Sequence, residues 1–188
     1  VSGGVPITGW KRLESVPSEL PAKAAGKVWV ADMPAGMGRF YTLYDSKGRL
    51  NRARDAGFAP AKVGKQKTLH FPEGALKDWD NLEDVEIQVR PFRPWVINML
   101  PLASVDEALG VAQTGVSATY GMGPLPGWVH NPSGASVWVE NILEALDNPG
   151  EWVVNTKTRK IYLWPTDPAL DGSPRGILAP STSELIRV

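Results

Sequence analysis

The chain has 188 residues, no cysteine, and 20 Lys+Arg against 20 Asp+Glu, a formal net charge of zero at pH 7. No disulfide can staple it, so the fold rests on a core, for which roughly two-thirds of the unfolded surface is buried at this size, and a neutral chain has no field to gather nucleic-acid phosphates or anionic lipid. Nineteen glycines and 17 prolines, roughly a fifth of the chain against an average nearer an eighth, argue against long helices.

In chain order, the strongest signals are short alternating runs rich in β-branched and aromatic residues, bounded by turns. Strands are predicted over 27–32 and 39–45, with a hairpin turn at Asp45-Ser46-Lys47-Gly48 in which Gly48 supplies a positive φ. Pro72-Glu73 opens a short helical turn through Asp78. Val85, Ile87 and Val89 alternate with Glu86, Gln88 and Arg90, the pattern of a half-buried antiparallel strand. The run 95–102 is apolar throughout and is expected to be covered on both faces, and weaker strand signals follow at 109–112 and 117–120. Ile142 and Leu143 align with Leu146 at helical spacing, giving a short helix over 140–146 that Asn148-Pro149-Gly150 ends. Finally, 151–155 and 160–164 flank a four-residue turn and form a hairpin. The loops 15–26 and 121–134 are too short to divide the chain, and no repeat of fixed period is present. The fold class is mainly β: a single domain over 1–188, a β-sandwich or irregular β-barrel with one or two short helices.

Eight tryptophans stand out. An exposed indole would stack on a sugar ring, but burying one is worth roughly 4–6 kcal/mol gross, so core or interface is the default. Trp29 and Trp138 sit on strands apolar on both faces, as if covered twice, whereas Trp10, Trp79 and Trp128 lie in turn-rich surroundings and are the candidates for a stacking surface. Cleavage of a glycosidic bond needs two carboxyls about 5–9.5 Å apart across a cleft. Glu140 and Glu144 are four apart on the predicted helix and share one face, which suits a solvated or capping role better than gripping a bond from opposite sides. Arg52 and Arg54, two apart on a strand, would present two guanidinium forks together, either to a carboxylate or sugar hydroxyls or to an acidic residue of the protein itself.

Other chemistries find little support. Asp78, Asp80, Glu83 and Asp84 do not fit a calcium loop, because Leu82 takes the third ligand position and the central glycine is missing. Two histidines and no cysteine cannot build a zinc set, no Gly-x-Ser-x-Gly elbow occurs, and the scattered glycine pairs lack the context of a dinucleotide site. No cofactor and no metal are expected. No run approaches the roughly twenty apolar residues of a bilayer crossing, and no export signal opens the chain, so no membrane partner is expected. A start at Val1 rather than Met fits a piece of something longer.

Several strings in order carry a resemblance: 1–10 (Val-Ser-Gly-Gly-Val-Pro-Ile-Thr-Gly-Trp), Arg52-Ala53-Arg54, 139–141 with 144–152, Ile161-Tyr162-Leu163-Trp164-Pro165, Ala179-Pro180 and 184–188 (Glu-Leu-Ile-Arg-Val). Together they resemble the large bacterial right-handed parallel β-helix proteins related to glycoside hydrolases, including α-galactosidase-like and fucosidase- or xylanase-like members. The resemblance implies a β-rich domain inserted in a β-helix parent, with 1–9 and 184–188 as the junctions. It places the catalytic carboxylates elsewhere, on the solenoid, and makes the rest of the parent chain and carbohydrate the partners, in a secreted or periplasmic protein. Arg159 stands where the similar Lys-Thr-Gly-Lys turn has glycine, so a non-glycine residue is expected at positive φ there, at a cost of about 1 kcal/mol or more. After Arg54, Asp55-Ala56-Gly57 replaces a frequent Ser-Pro.

The leading expectation is therefore a noncatalytic accessory domain that caps the solenoid and walls a carbohydrate cleft. A free-standing carbohydrate-binding module and a structural interaction domain of a surface protein are the alternatives.

Overall fold

The computed structural model describes residues 3–91, 93, 95–166, 168, 169 and 171–182. Its strands in chain order are β1 (Gly4–Pro6), β2 (Lys11–Arg12), β3 (Trp29–Asp32), β4 (Leu43–Asp45), β5 (Gly48–Arg52), β6 (Thr68–His70), β7 (Glu86–Val89), β8 (Asn98–Asp106), β9 (Val111–Thr114), β10 (Val137–Glu140), β11 (Glu151–Asn155), β12 (Lys160–Leu163) and β13 (Leu178–Pro180). The protein is mainly β, and its helical segments among the described residues are single 3-10 turns at Ala22–Ala24, Leu82–Asp84 and Leu143–Ala145. The chain divides into two compact units, one made of Val1–Ala53 with Asn141–Val188 and the other of Arg54–Glu140.

The first unit carries an eight-stranded sheet in the order β1-β13-β4-β5-β11-β12-β3-β2. Its core gathers Leu43, Leu50, Trp152, Val154, Ile161, Leu163 and their neighbours, with Phe40 stacked on Trp152 at 5.4 Å between ring centroids. Trp152 is fully buried, and its indole Nε1 donates to the Leu50 carbonyl at 3.4 Å. Both hairpins form where turn chemistry placed them: Asp45 Oδ1 accepts from the Lys47 and Gly48 amides, Gly48 takes φ 137°, and β11 pairs with β12. Arg159 adopts φ 59°, the left-handed conformation its place in the turn demanded. At the outer edge, Gly4 pairs with Pro180 and the Ser181 amide donates to the Gly3 carbonyl at 2.8 Å.

A second non-glycine residue at positive φ, Asn141 at 67°, has the opposite logic. It is fully buried, and its side chain acts as a strand partner: Nδ2 donates to the Val154 carbonyl and Oδ1 accepts from the Val154 amide, both at 2.8 Å. Asn tolerates this conformation better than most residues, and here it completes a ladder that β5 reaches only as far as Trp152.

The second unit carries a five-stranded antiparallel sheet in the order β10-β7-β8-β9-β6. Its inward residues Val137, Val139, Ile87, Val89, Leu100 and Leu102 are buried, as strand alternation requires.

Four local expectations change. The segment 140–146 is no helix: Glu140 ends β10 and only Leu143–Ala145 turn, because two helical turns of apolar spacing do not outweigh a strand ladder already closed at Val139 and Glu140. Residues 72–78 make turns rather than a helix. The run 95–102 is covered on one face only, since Leu100 and Leu102 point into the core while Trp95, Ile97 and Met99 are exposed. No strand forms at 117–120, where the Ala118 amide donates to the Gln66 carbonyl outside any ladder.

Candidate functional site

Two surfaces bring together the residue types that sugar recognition uses. In the second unit, strand register sets out the outward face of the sheet row by row, because directly opposed residues share a face. Glu140 opposes Glu86, which opposes Pro101; Trp138 opposes Gln88, which opposes Met99; and Arg54 bridges to Glu140 at the edge. Gln88 links these rows, its Nε2 donating to Glu140 Oε1 at 2.6 Å while its Oε1 accepts from Arg54 Nη1 at 3.2 Å. Glu86 and Glu140 are each only 6% exposed. Carboxylates at that depth are tolerated where hydrogen bonds and charges compensate them, and a sugar has little access to either. Alternation placed Glu86 on the outward face, which holds, but missed its burial, and Glu140, expected on a solvated helix face, ends β10 on that same buried row.

Asp55 lies beside β10, where its Oδ1 accepts from the Val139 amide at 2.7 Å and the Gly57 amide at 3.1 Å. Burial dominates and pushes its carboxyl above the usual carboxylate range, against the opposing pull of those two amides and of Arg54. Gly57 is there for space as well as for its φ of 79°, since an added Cβ would stand 2.5 Å from the Trp138 ring. The triplet Asp55-Ala56-Gly57 thus anchors β10 and seats Trp138.

In the first unit, residues 34–42 together with Val5 and 180–182 surround an open cleft of about 550 Å³. Tyr41, 52% exposed, stands on it with the Arg39 guanidinium 4.9 Å and the Arg52 guanidinium 5.9 Å from its ring centroid. The loop is held from behind by Arg159, whose Nη2 and Nη1 donate to the carbonyls of Pro34 at 2.7 Å and Met37 at 2.9 Å.

The remaining sequence candidates are dispersed. Trp10 is half-buried against the core with its Nε1 donating to the Ile7 carbonyl at 3.0 Å, and Trp79 is half-buried ahead of a 3-10 turn. Trp128, in contrast, is 71% exposed in a turn. Glu144 is half-buried in the turn Leu143–Ala145 of the first unit, so it shares no helix face with Glu140. Arg52 belongs to the first unit and Arg54 to the second, each with the partners given above. Sequence reasoning missed Tyr41 and Arg39, although their spacing two apart was visible. It also missed Trp95, 67% exposed with Arg93 5.7 Å from its ring centroid.

Among the described residues no group of three or more His, Asp or Glu side chains is arranged to hold a metal ion, and no helix is long and apolar enough to cross a membrane.

No protein-family model matches the chain, and no curated protein matches it. A solved structure titled "Glycoside hydrolase" is similar to it with a TM-score of 0.58 at 23% identity, over 95% of this chain and 31% of that one. The chain therefore spans about a third of that neighbour's length, and the likeness is one of fold.

Proposed function

We propose that this chain is an accessory, noncatalytic part of a larger glycoside hydrolase-like protein, inserted between coils of a right-handed parallel β-helix, where it caps the solenoid and walls a carbohydrate cleft. The observation that carries the proposal is the fold likeness, which takes in nearly all of this chain and less than a third of the neighbour. The pairing of Gly4 with Pro180 supports it, because an insertion must leave its host and return at neighbouring points. The burial of Glu86 and Glu140 supports a noncatalytic role, since a general acid and its partner must face a shared cleft. The partners in this reading are the parent chain and carbohydrate, and the location is secreted or periplasmic.

Two measurements test it. Sequencing the gene on both sides should reveal β-helix coils before residue 1 and after residue 188, and flanks without them refute the insertion. Assayed on aryl α- and β-glycosides, the 188-residue chain should show no turnover. Hydrolysis abolished by Glu140→Gln or Glu144→Gln overturns the noncatalytic assignment.

A second reading, a free-standing carbohydrate-binding module, is favoured by the exposure of Trp128. Glycan binding lost on Trp128→Ala, together with flanks lacking coils, decides for it.

A further inference from the structure

From the geometry of the first-unit cleft we infer a binding subsite for a pyranose carrying an anionic substituent, a uronate carboxylate or a sulfate ester; the inference deepens the carbohydrate reading above and rests on it. The argument begins with strain. Arg159 occupies φ 59°, a conformation costly for a residue with a side chain, and its guanidinium spans the turn to bind the Pro34 and Met37 carbonyls. A glycine would relieve the backbone and release the loop, so the strained arginine is a device that fixes residues 34–37, and those residues form one wall of the cleft. A wall fixed before the ligand arrives lowers the ordering cost of binding.

The chemistry of the lining then selects the ligand. Tyr41 offers a half-exposed ring, the kind of face on which the C–H side of a pyranose packs, and two guanidinium groups lie 4.9 and 5.9 Å from its centroid. Arg39 lines the cleft beside it, the hydroxyl-bearing Thr42, Ser181 and Thr182 complete the polar wall, and no described carboxylate lines it. A guanidinium has five N–H donors in a planar fork, so it can serve more than one partner at once. One aromatic platform, guanidinium groups and no carboxylate among the described lining residues match an anionic sugar better than a neutral one.

The test is calorimetric titration of the 188-residue chain with trigalacturonate, a sulfated galactan trisaccharide and neutral trigalactose. We expect the anionic probes, or one of them, to bind about tenfold more tightly than the neutral one at low salt, with the preference shrinking as salt rises. Tyr41→Ala and Arg39→Gln should each weaken that binding about tenfold while Tyr41→Phe keeps it. Circular dichroism confirms that each variant is folded. Which anion binds identifies the substituent. Equal affinity for the neutral sugar, absence of binding, or binding indifferent to both Tyr41→Ala and Arg39→Gln overturns the subsite. None of those results bears on the flanking coils or the lack of turnover, so the subsite and the accessory role fail separately.

Discussion

Replacement of Asn141 isolates the side-chain ladder that joins it to Val154. Asn141→Ala removes both 2.8 Å hydrogen bonds, at a place where both residues are fully buried. Each backbone group of Val154 then loses a partner it cannot replace with bulk water, at about 1–3 kcal/mol apiece. Alanine also holds φ 67° less readily than asparagine, adding about 1 kcal/mol. The sum is a destabilisation of about 3–7 kcal/mol, a large part of what a domain has to spare. Asn141→Gly loses the same bonds and escapes the backbone penalty, so it should be about 1 kcal/mol less harmful than alanine. Urea unfolding gives the two free energies, and hydrogen exchange at the Val154 amide reports the bond directly. A cost for Asn141→Ala below about 1 kcal/mol, unchanged protection at Val154, or glycine proving worse than alanine refutes the reasoning.

Four further outcomes are expected. Because folding raises the carboxyl pKa of Asp55, the folded state holds that proton to higher pH than the unfolded chain, and its contribution to stability is fullest below the unfolded value near 3.8 and is lost as pH rises through the folded one. Asp55→Asn keeps the Oδ1 acceptor, so it should raise stability at neutral pH and flatten that limb of a pH-melting profile. Asp45 works in the opposite sense: burial is the largest influence and raises its pKa, but the Thr166 hydroxyl and the Lys47 and Gly48 amides outweigh it and hold it below 3.8, so its contribution is present above that value and fades in stronger acid. Gly57→Ala should cost about 2–4 kcal/mol by chemical denaturation and shift tryptophan emission, since the new methyl must displace Trp138. Arg159→Gly should cost about 1 kcal/mol in thermal unfolding, relief of about 1 kcal/mol of strain offsetting half the loss of two hydrogen bonds, whereas Arg159→Ala keeps the strain and should lose about 2 kcal/mol.

What could be read from the sequence was local. The hairpin of β11 and β12 and the turn at Gly48 follow from turn chemistry confined to four or five residues, while the left-handed Arg159 was implied by the resemblance to a turn with glycine there. The outward row of Glu86 and Gln88 follows from alternation alone. Burial did not follow, because it depends on residues remote in the chain, and Glu140 and Trp10 show how far helical spacing and turn context can mislead about exposure. The helix expected over 140–146 failed because seven residues of apolar spacing are compatible with a strand end followed by one tight turn. Tyr41 was overlooked for a related reason: Arg39-Phe40-Tyr41 reads as the start of a strand, while the strand begins at Leu43 and Phe40 turns inward to stack on Trp152. The cleft needs Arg159 and residues 180–182 as well, and no short window contains all three segments.

One connection in the first unit has consequences for how the chain assembles. Ala53 donates its amide to the Trp152 carbonyl and accepts the Asn141 amide, both at 2.9 Å, so roughly ninety intervening residues depart and come back at a single point. While that excursion is unstructured, β5 and β11 can meet only by closing a floppy ring, about 3 kcal/mol more costly in entropy than closing a four-residue one. Once the bridge of Arg54 to Glu140 has formed, the ring is pinched shut at its neck and the penalty disappears. The excursion therefore acts as a clasp whose own folding licenses the larger sheet, and heat that melts it first should loosen Trp152 soon afterwards.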